Sequence, residues 1–290
     1  MQRTRRIVAV GALALVGAGL LTWLTRDEPG PLTRERCSAT VEGESTSMSP
    51  EQARNAATIV GLSVRRGLPA RAATIAIATA VQESDLRNLD YGDRDSLGLF
   101  QQRPSQGWGS EAQVQDPVYA TTKFYDGLEK VPGYRDLEVT DAAQRVQRSG
   151  FPLAYGDHEA EGRLVASTLT GYTAAGFTCR LHPAEDGGSG DDETLAPRAA
   201  ALAEAAQVEV TTAGPRVVPG VDGRGVEFRP GGEEAPRLAW ALAGWSVASA
   251  KTFDVVEVDV EGNRWTRASG EWRPTATGVP AGAVQIRTAG

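Results

Sequence analysis

The sequence predicts a mainly α-helical domain followed by a small α+β domain, with a transmembrane helix at the N-terminus. Three observations support this fold class. Residues 7 to 24 form an apolar run. Residues 49 to 169 consist of helical patterns separated by loops, and residues 256 to 260 alternate valine with acidic side chains, the period of a half-buried strand. At 290 residues, the chain is long enough to bury two modest cores.

The apolar run follows an arginine-rich tip and is close to the shortest length that crosses a bilayer as a helix. Because no small-residue cleavage site follows it, we expect residues 1 to 26 to be a cytoplasmic tip and an uncleaved membrane anchor. The arginines would stay in the cytoplasm, which places the bulk of a single-pass protein outside it. A cleaved signal peptide and a secreted protein are the alternative. Residues 27 to 48, rich in Pro, Gly, Ser, Thr and charge, are expected to be a stalk.

Helix-end signals divide residues 49 to 182 into five helices. A Ser, Thr or Asp at a helix start accepts hydrogen bonds from unpaired backbone N–H groups, and proline is tolerated in the first turn. Such residues predict helix starts at Ser49, Pro69, Asp116 and Thr140, and a fifth helix covers residues 155 to 169. Gly67 is expected to end the first helix.

The second half of the chain has a different character. Residues 183 to 194 hold five acids and no basic residue among glycines and serines, which is typical of a flexible linker. Residues 195 to 290 are then expected to form the small α+β domain. Its predicted helices cover 197 to 206 and 237 to 250, and its predicted strands lie near 208 to 211, 226 to 229, 256 to 260 and 264 to 267.

Glu83 is the candidate catalytic acid. In a helix its carboxyl shares a face with five small or apolar residues, namely Ala72, Ile75, Ala76, Thr79 and Ala80. It also lies near the C-terminal end of that helix, where burial and the negative end of the helix dipole both raise its pKa. A raised pKa keeps a carboxylic acid protonated for general-acid catalysis near neutral pH.

Glu83-Ser84, followed by Gly98-Leu99-Phe100-Gln101, resembles the signature of the lysozyme-like lytic transglycosylase superfamily. The resemblance implies a lysozyme-like domain over residues 49 to 182 that cleaves the MurNAc–GlcNAc bond of peptidoglycan without a cofactor or metal. In that superfamily one glutamate protonates the leaving oxygen and then takes a proton from the substrate's own C6 hydroxyl, which leaves an anhydro end. The family's loop reads Gly-Ala-x-Gly-Leu-Met-Gln, whereas this chain has Asp-Ser-Leu-Gly-Leu-Phe-Gln, so hydrolysis stays open.

The resemblance also implies a set of substrate-binding residues. Gly98 would allow close backbone approach, and Gln101 would hydrogen-bond a sugar or stabilise its own loop. Ser84 would orient Glu83 or cap its helix. The remaining candidates are Trp108, for stacking on a sugar or for packing, and Tyr155, at a position where the superfamily often carries a cleft tyrosine.

The sequence also leaves two other functions open. A hydrolytic muramidase of the two-carboxylate type needs a second acid about 5 to 9.5 Å from the first. Asp90, Asp93 and Asp95 are the available acids, although they also have the pattern of solvated loop residues. A noncatalytic protein that binds or organises the cell wall is the other alternative.

Cys37 and Cys179 bracket the region of resemblance, and we expect a disulfide between them in an exported protein, with two buried free thiols as the alternative. The net charge of −7 and the lack of a basic cluster make nucleic acid an unexpected partner. The expected partners are peptidoglycan and, through the N-terminal helix, the membrane.

The C-terminal segments Gly223-Arg224-Gly225-Val226-Glu227-Phe228 and Gly270-Glu271-Trp272-Arg273 resemble a domain of actinobacterial wall-associated proteins. That domain is related to zinc D-Ala-D-Ala peptidases, but here Gly220 replaces the ligand histidine and Glu227 the aspartate. We therefore expect an accessory domain without zinc chemistry. Its tryptophans are core candidates: Trp240, Trp245, Trp265 and Trp272.

Overall fold

The computed structural model describes residues 34 to 148, 154 to 184, 195 to 219, 221 to 276 and 278 to 290. Its first elements are β1 (Arg36–Val41), β2 (Glu44–Met48), α1 (Pro50–Arg65), α2 (Ala70–Ser84), α3 (Glu111–Val114), α4 (Pro117–Leu128), α5 (Val139–Gln147), α6 (Glu159–Leu169) and β3 (Phe177–Arg180). They are followed by α7 (Pro197–Glu209), β4 (Arg216–Val217), β5 (Gly225–Phe228), α8 (Ala235–Ala248), α9 (Ala250–Phe253), β6 (Val255–Val260), β7 (Asn263–Thr266), β8 (Glu271–Pro274) and β9 (Val284–Thr288). Short 3₁₀ helices cover Pro104–Gln106 and Ala154–His158.

Strand β1 is the centre of a three-stranded antiparallel sheet in the order β2-β1-β3. Glu42 and Gly43 join β1 to β2 with φ angles of 51° and 91°, the left-handed conformation that two-residue hairpins favour. Cys37 and Cys179 lie opposite each other on β1 and β3 and form a disulfide, which confirms that prediction. The disulfide therefore fastens two strands that are far apart in the sequence.

Helix α2 lies at the centre of the helical half. It packs against α1, α4, α5, α6 and the second 3₁₀ helix, and its residues from 72 to 80 are all buried. The helix has apolar or small side chains on every side, which is the pattern of a core helix rather than a surface one. The last turn is where this burial ends, and that turn carries Glu83.

Helix starts agree well with the sequence signals. Ser49 forms a capping box with Gln52, and the carboxylate of Asp116 accepts hydrogen bonds from the first turn of α4, so both predicted starts are confirmed. Gly67, with φ 66°, follows the end of α1. The predicted start at Thr140 is wrong, because Glu138 precedes the first turn of α5.

The C-terminal half is built on a six-stranded antiparallel sheet in the order β4-β5-β9-β6-β7-β8. Helix α8 packs on β6 and β9 and also contacts α1. Trp245 and Trp265 are fully buried, while Trp240 and Trp272 pack against the core at its edge, as expected from the sequence. The described residues between 34 and 290 form one compact unit.

A buried glutamate joins the two halves. The carboxylate of Glu209, at the end of α7, accepts hydrogen bonds from both terminal nitrogens of Arg54, one at 2.7 Å, and from Thr58 at 3.1 Å. It also accepts the indole N–H of Trp245 at 2.9 Å. A buried charge is tolerated when it is paired and fully hydrogen-bonded. This one carboxylate on α7 therefore fixes the positions of α1 and α8 relative to α7.

The predicted fold class is wrong. Nine strands in two sheets accompany the helices of the described residues, so the chain is not a mainly α domain with a small α+β domain behind it. The main reason is the segment expected to be a stalk: its Ser and Thr content indicated a linker, yet Cys37 and Ala39 alternate inward as β1. The strand expected near 208 to 211 is also wrong, because α7 continues to Glu209.

The anchor predicted at residues 1 to 26 lies outside the described residues. Among the residues that the structure does describe, no helix is long and apolar enough to cross a bilayer. Residues 185 to 194 of the acidic segment also lie outside the described residues, so the role of this segment as a flexible linker stays a prediction.

Removal of the disulfide by a Cys37→Ala/Cys179→Ala double variant should lower the free energy of unfolding by about 2 to 5 kcal/mol, because the crosslink restricts the unfolded chain. Urea unfolding followed by circular dichroism measures this loss. The wild type treated with a reductant is the control and should lose the same amount. Equal stability of oxidised wild type and double variant would contradict a stabilising role.

Candidate functional site

The site is built around Glu83, in the last turn of α2. The helix ends at Ser84, and the backbone then turns away, since Asp85 and Leu86 both have left-handed φ angles, 54° and 56°. The Glu83 side chain is half-buried, between a core behind it and the surface in front. Because α2 is buried on all sides, the apolar stripe predicted for one face does not by itself orient Glu83; the orientation comes from its position at the end of the helix.

Two side chains donate hydrogen bonds to the same oxygen of Glu83. The Tyr155 hydroxyl lies 2.5 Å from Oε1, and the Gln147 amide nitrogen lies 3.3 Å from it. The Gln147 amide nitrogen also donates to the carbonyl of Phe100 at 2.7 Å, which fixes the amide orientation with its N–H groups toward Glu83. Since Oε1 already accepts these donors, an acidic proton is expected on Oε2.

The environment raises the pKa of Glu83. Loss of hydration by burial is the largest cause, and the hydrogen bonds from Tyr155 and Gln147 oppose it by stabilising the carboxylate. The negative end of the α2 dipole acts in the same direction as burial. This direction agrees with the one expected from the sequence, and the hydrogen bonds can accommodate the anion that forms when the proton leaves.

Ser84 belongs to the support of the site. It is buried, and its hydroxyl oxygen lies 2.8 Å from the carbonyl of Leu99 and 3.0 Å from that of Ala80. Ser84 therefore connects the end of α2 to the turn at residues 98 to 101 rather than pointing to Glu83. Leu99 and Phe100 are fully buried, and the Phe100 ring stacks on Phe124 at 4.7 Å.

Gly98 occupies a position that only glycine fits. Its φ is 76°, and a Cβ atom there would lie 2.2 Å from the carbonyl oxygen of Val114. The backbone N–H of Gly98 donates to the carbonyl of Leu89 at 2.8 Å. The close approach observed in the structure is thus to the protein's own backbone, and a contact of Gly98 with substrate stays a prediction.

The amide of Gln101 stabilises its own loop, with its nitrogen 3.2 Å from the Gly98 carbonyl and 3.3 Å from that of Tyr91. Trp108 is half-buried and packs against the edge of the core. Of the predicted substrate-binding residues, the structure therefore brings Tyr155 alone into hydrogen-bond contact with Glu83. Substrate contacts of Gln101 and Trp108 stay predictions.

The loop acids differ from one another. Asp95 accepts a hydrogen bond from Arg103 at 2.7 Å and one from the backbone of Ser105 at 2.8 Å. Mainly through the Ser105 bond, these contacts hold the pKa of Asp95 well below its usual range. Asp90 and Asp93 are exposed at the surface of the loop. Of the three acids, Asp95 is thus the one whose hydrogen bonds shape the loop.

The C-terminal position compared with a zinc ligand has a different role. Glu227 is buried on β5, where it pairs with Arg229 at 2.5 Å and accepts a hydrogen bond from Gln285 at 2.8 Å. Gly220 lies outside the described residues. Within the described ranges, no group of three His, Cys, Asp or Glu side chains is placed to hold a metal ion.

Gln147 is the site residue that the sequence analysis missed. It is the last residue of α5, and nothing in its neighbourhood resembles a motif. Its side-chain oxygen is buried and accepts no hydrogen bond among the described residues. The available signal would have been the helix end itself, since a long polar side chain there can reach a neighbouring helix terminus.

No family model and no curated protein matches the chain.

Replacement of Gly98 by alanine should destabilise the protein by about 2 to 4 kcal/mol, because left-handed strain is added to a clash with backbone. Gly107→Ala is a matched control: Gly107 has φ 83°, but a Cβ there meets nothing within 4 Å. We expect about 1 kcal/mol for the control. Urea unfolding of both variants measures the difference, and equal losses would show that the close approach to Val114 does not matter.

Proposed function

We propose that the protein cleaves the glycan strands of peptidoglycan outside the cytoplasm, with Glu83 as a single acid/base residue. The observation that carries the proposal is the pair of donors, Tyr155 and Gln147, on one oxygen of a carboxyl whose pKa is raised by burial. Glu209, a structural glutamate, has a charged partner in Arg54, whereas both of these donors to Glu83 are uncharged. The disulfide supports an oxidising compartment, and the signature at residues 83 to 101 supports the substrate class.

The reaction follows from these contacts. Protonated Oε2 of Glu83 donates its proton to the glycosidic oxygen, the bond from that oxygen to the anomeric carbon breaks, and the sugar acquires oxocarbenium character. The carboxylate left on Glu83 is stabilised by the N–H and O–H donors at Oε1. It then takes the proton of the substrate's C6 hydroxyl as that oxygen bonds to the anomeric carbon, which closes the anhydro ring and restores the acid.

A single-carboxylate route is supported over a two-carboxylate hydrolysis by the state of the loop. Asp95 is held by Arg103 and Ser105, and reorienting it would break both bonds. Asp90 and Asp93 are exposed, where a carboxylate remains well hydrated and positions a water poorly. We therefore propose anhydro-forming cleavage, and analysis of the reaction products can distinguish it from hydrolysis.

Replacement of Glu83 by glutamine should lower the release of soluble fragments from purified peptidoglycan by about 10²- to 10⁴-fold, the usual contribution of a general acid/base. Glu204→Gln, an exposed glutamate on α7, is the control and should retain full activity. Mass spectrometry of the wild-type products should find anhydro ends; reducing ends would indicate hydrolysis. Undiminished release by Glu83→Gln, or no release by the wild type, would contradict the proposal.

The pH profile tests the hydrogen bonds at Oε1. A donor to a carboxylate favours the ionised form, so its removal in Tyr155→Phe or Gln147→Met should raise the pKa of Glu83 further. Because the general acid must be protonated, the alkaline limb of the rate profile should move to higher pH in both variants, together with a lower maximum rate. Fragment release is measured between pH 4 and 10. A lower rate with an unmoved alkaline limb would indicate a merely structural role.

A further inference from the structure

A groove of about 720 Å³ lies between the β1–β2 hairpin and helices α2 and α6. Apolar walls are provided by Val41, Ala70 and Leu164. Ala70 begins α2, and Glu83 lies thirteen residues further along, which is about 20 Å at about 1.5 Å per residue. The groove is thus separate from the Glu83 site, although one rigid helix connects them, and its size falls in the range of small-molecule sites.

Tyr172 stands at this groove as a fixed aromatic platform. Its side chain is 61% exposed, unusually open for an aromatic residue. The guanidinium of Arg237 lies 4.9 Å from the ring centre, and Arg237 is itself fixed by the carbonyl of Thr170 at 2.8 Å and by Glu234 at 2.5 Å. One face of the ring is therefore backed by a positioned cation, so little side-chain freedom remains to be lost when a ligand stacks on the ring.

The rim of the groove carries uncommitted charges of both signs. Glu42, Glu44 and Arg163 are exposed and form no ion pair with another described residue. Arg71, deeper in the groove, is already committed to Glu159 and to the Leu137 carbonyl, both at 2.7 Å. These two acids and one base carry a net charge of −1 and offer both acceptors and donors, which suits an uncharged polar ligand better than an anion.

We propose that this groove binds an oligosaccharide with hydroxyl and acetamido groups. A sugar ring presents a C–H face to an aromatic platform such as Tyr172, while its rim hydroxyls and amides can reach Glu42, Glu44 and Arg163. The choice of N-acetylated sugars rests on the proposed function. The roles of the Tyr172 ring and of the charged residues at the rim do not depend on it. A glycan strand held at this end of α2 would be retained by the protein between cleavage events at the other end.

The test is calorimetric titration of the full chain, in a Glu83→Gln background that blocks turnover, with the β-1,4-linked hexamer of N-acetylglucosamine. Tyr172→Ala should weaken binding at least fivefold, whereas Tyr172→Phe should retain it because the ring remains. Tyr91→Ala is the matched control, since Tyr91 is 68% exposed but lies in the loop near Gly98. Circular dichroism verifies that each variant is folded.

Undiminished binding by Tyr172→Ala, or a loss confined to Tyr91→Ala, would overturn the groove assignment. Failure of this proposal differs from failure of the proposed function. If the groove is wrong but Glu83 is catalytic, Tyr172→Ala binds normally and the protein with Glu83 intact still releases fragments. If the groove is right but the cleavage is wrong, binding depends on Tyr172 while no fragments are released.

Discussion

The burial of α2 from residue 72 to 80 is the constraint on which the candidate site depends. A helix surrounded by α1, α4, α5 and α6 exposes polar groups only at its ends, so the last turn is where an ionisable side chain can meet both the core and the surface. Glu83 occupies that turn and loses enough hydration for its pKa to rise. The same residue on a surface helix would be an ordinary solvated glutamate, which is why the fold, rather than the residue type, makes it a candidate acid.

Around this turn, separate segments are held together by backbone carbonyls. The carbonyls of Leu99 and Phe100 accept hydrogen bonds from Ser84 and Gln147, respectively, so the turn at residues 98 to 101 sets the positions of α2 and α5 at once. Because Gly98 has no side chain, this turn can approach the Val114 carbonyl closely. The signature residues therefore take part in assembling the site.

Local signals predicted much of the helical half, and long-range pairing accounts for what was missed. Caps such as Ser49 and Asp116 act within one turn, so their sequence neighbours are sufficient to recognise them. Strand β1 depends instead on β3, over a hundred residues away and joined to it by the disulfide, and β9 pairs with β5 and β6 from the end of the chain. Gln147 was missed for the same reason, since its partner Glu83 is distant in sequence.

Titration of the Glu83 side-chain carboxyl by ¹³C NMR measures this pKa directly, with the Glu83→Gln variant used to assign the resonance. We expect a pKa above about 4.3, the ordinary value for glutamate, and a further increase in Tyr155→Phe. A pKa at or below about 4.3 would show that burial does not favour the protonated acid, which would contradict the role of Glu83 as a proton donor.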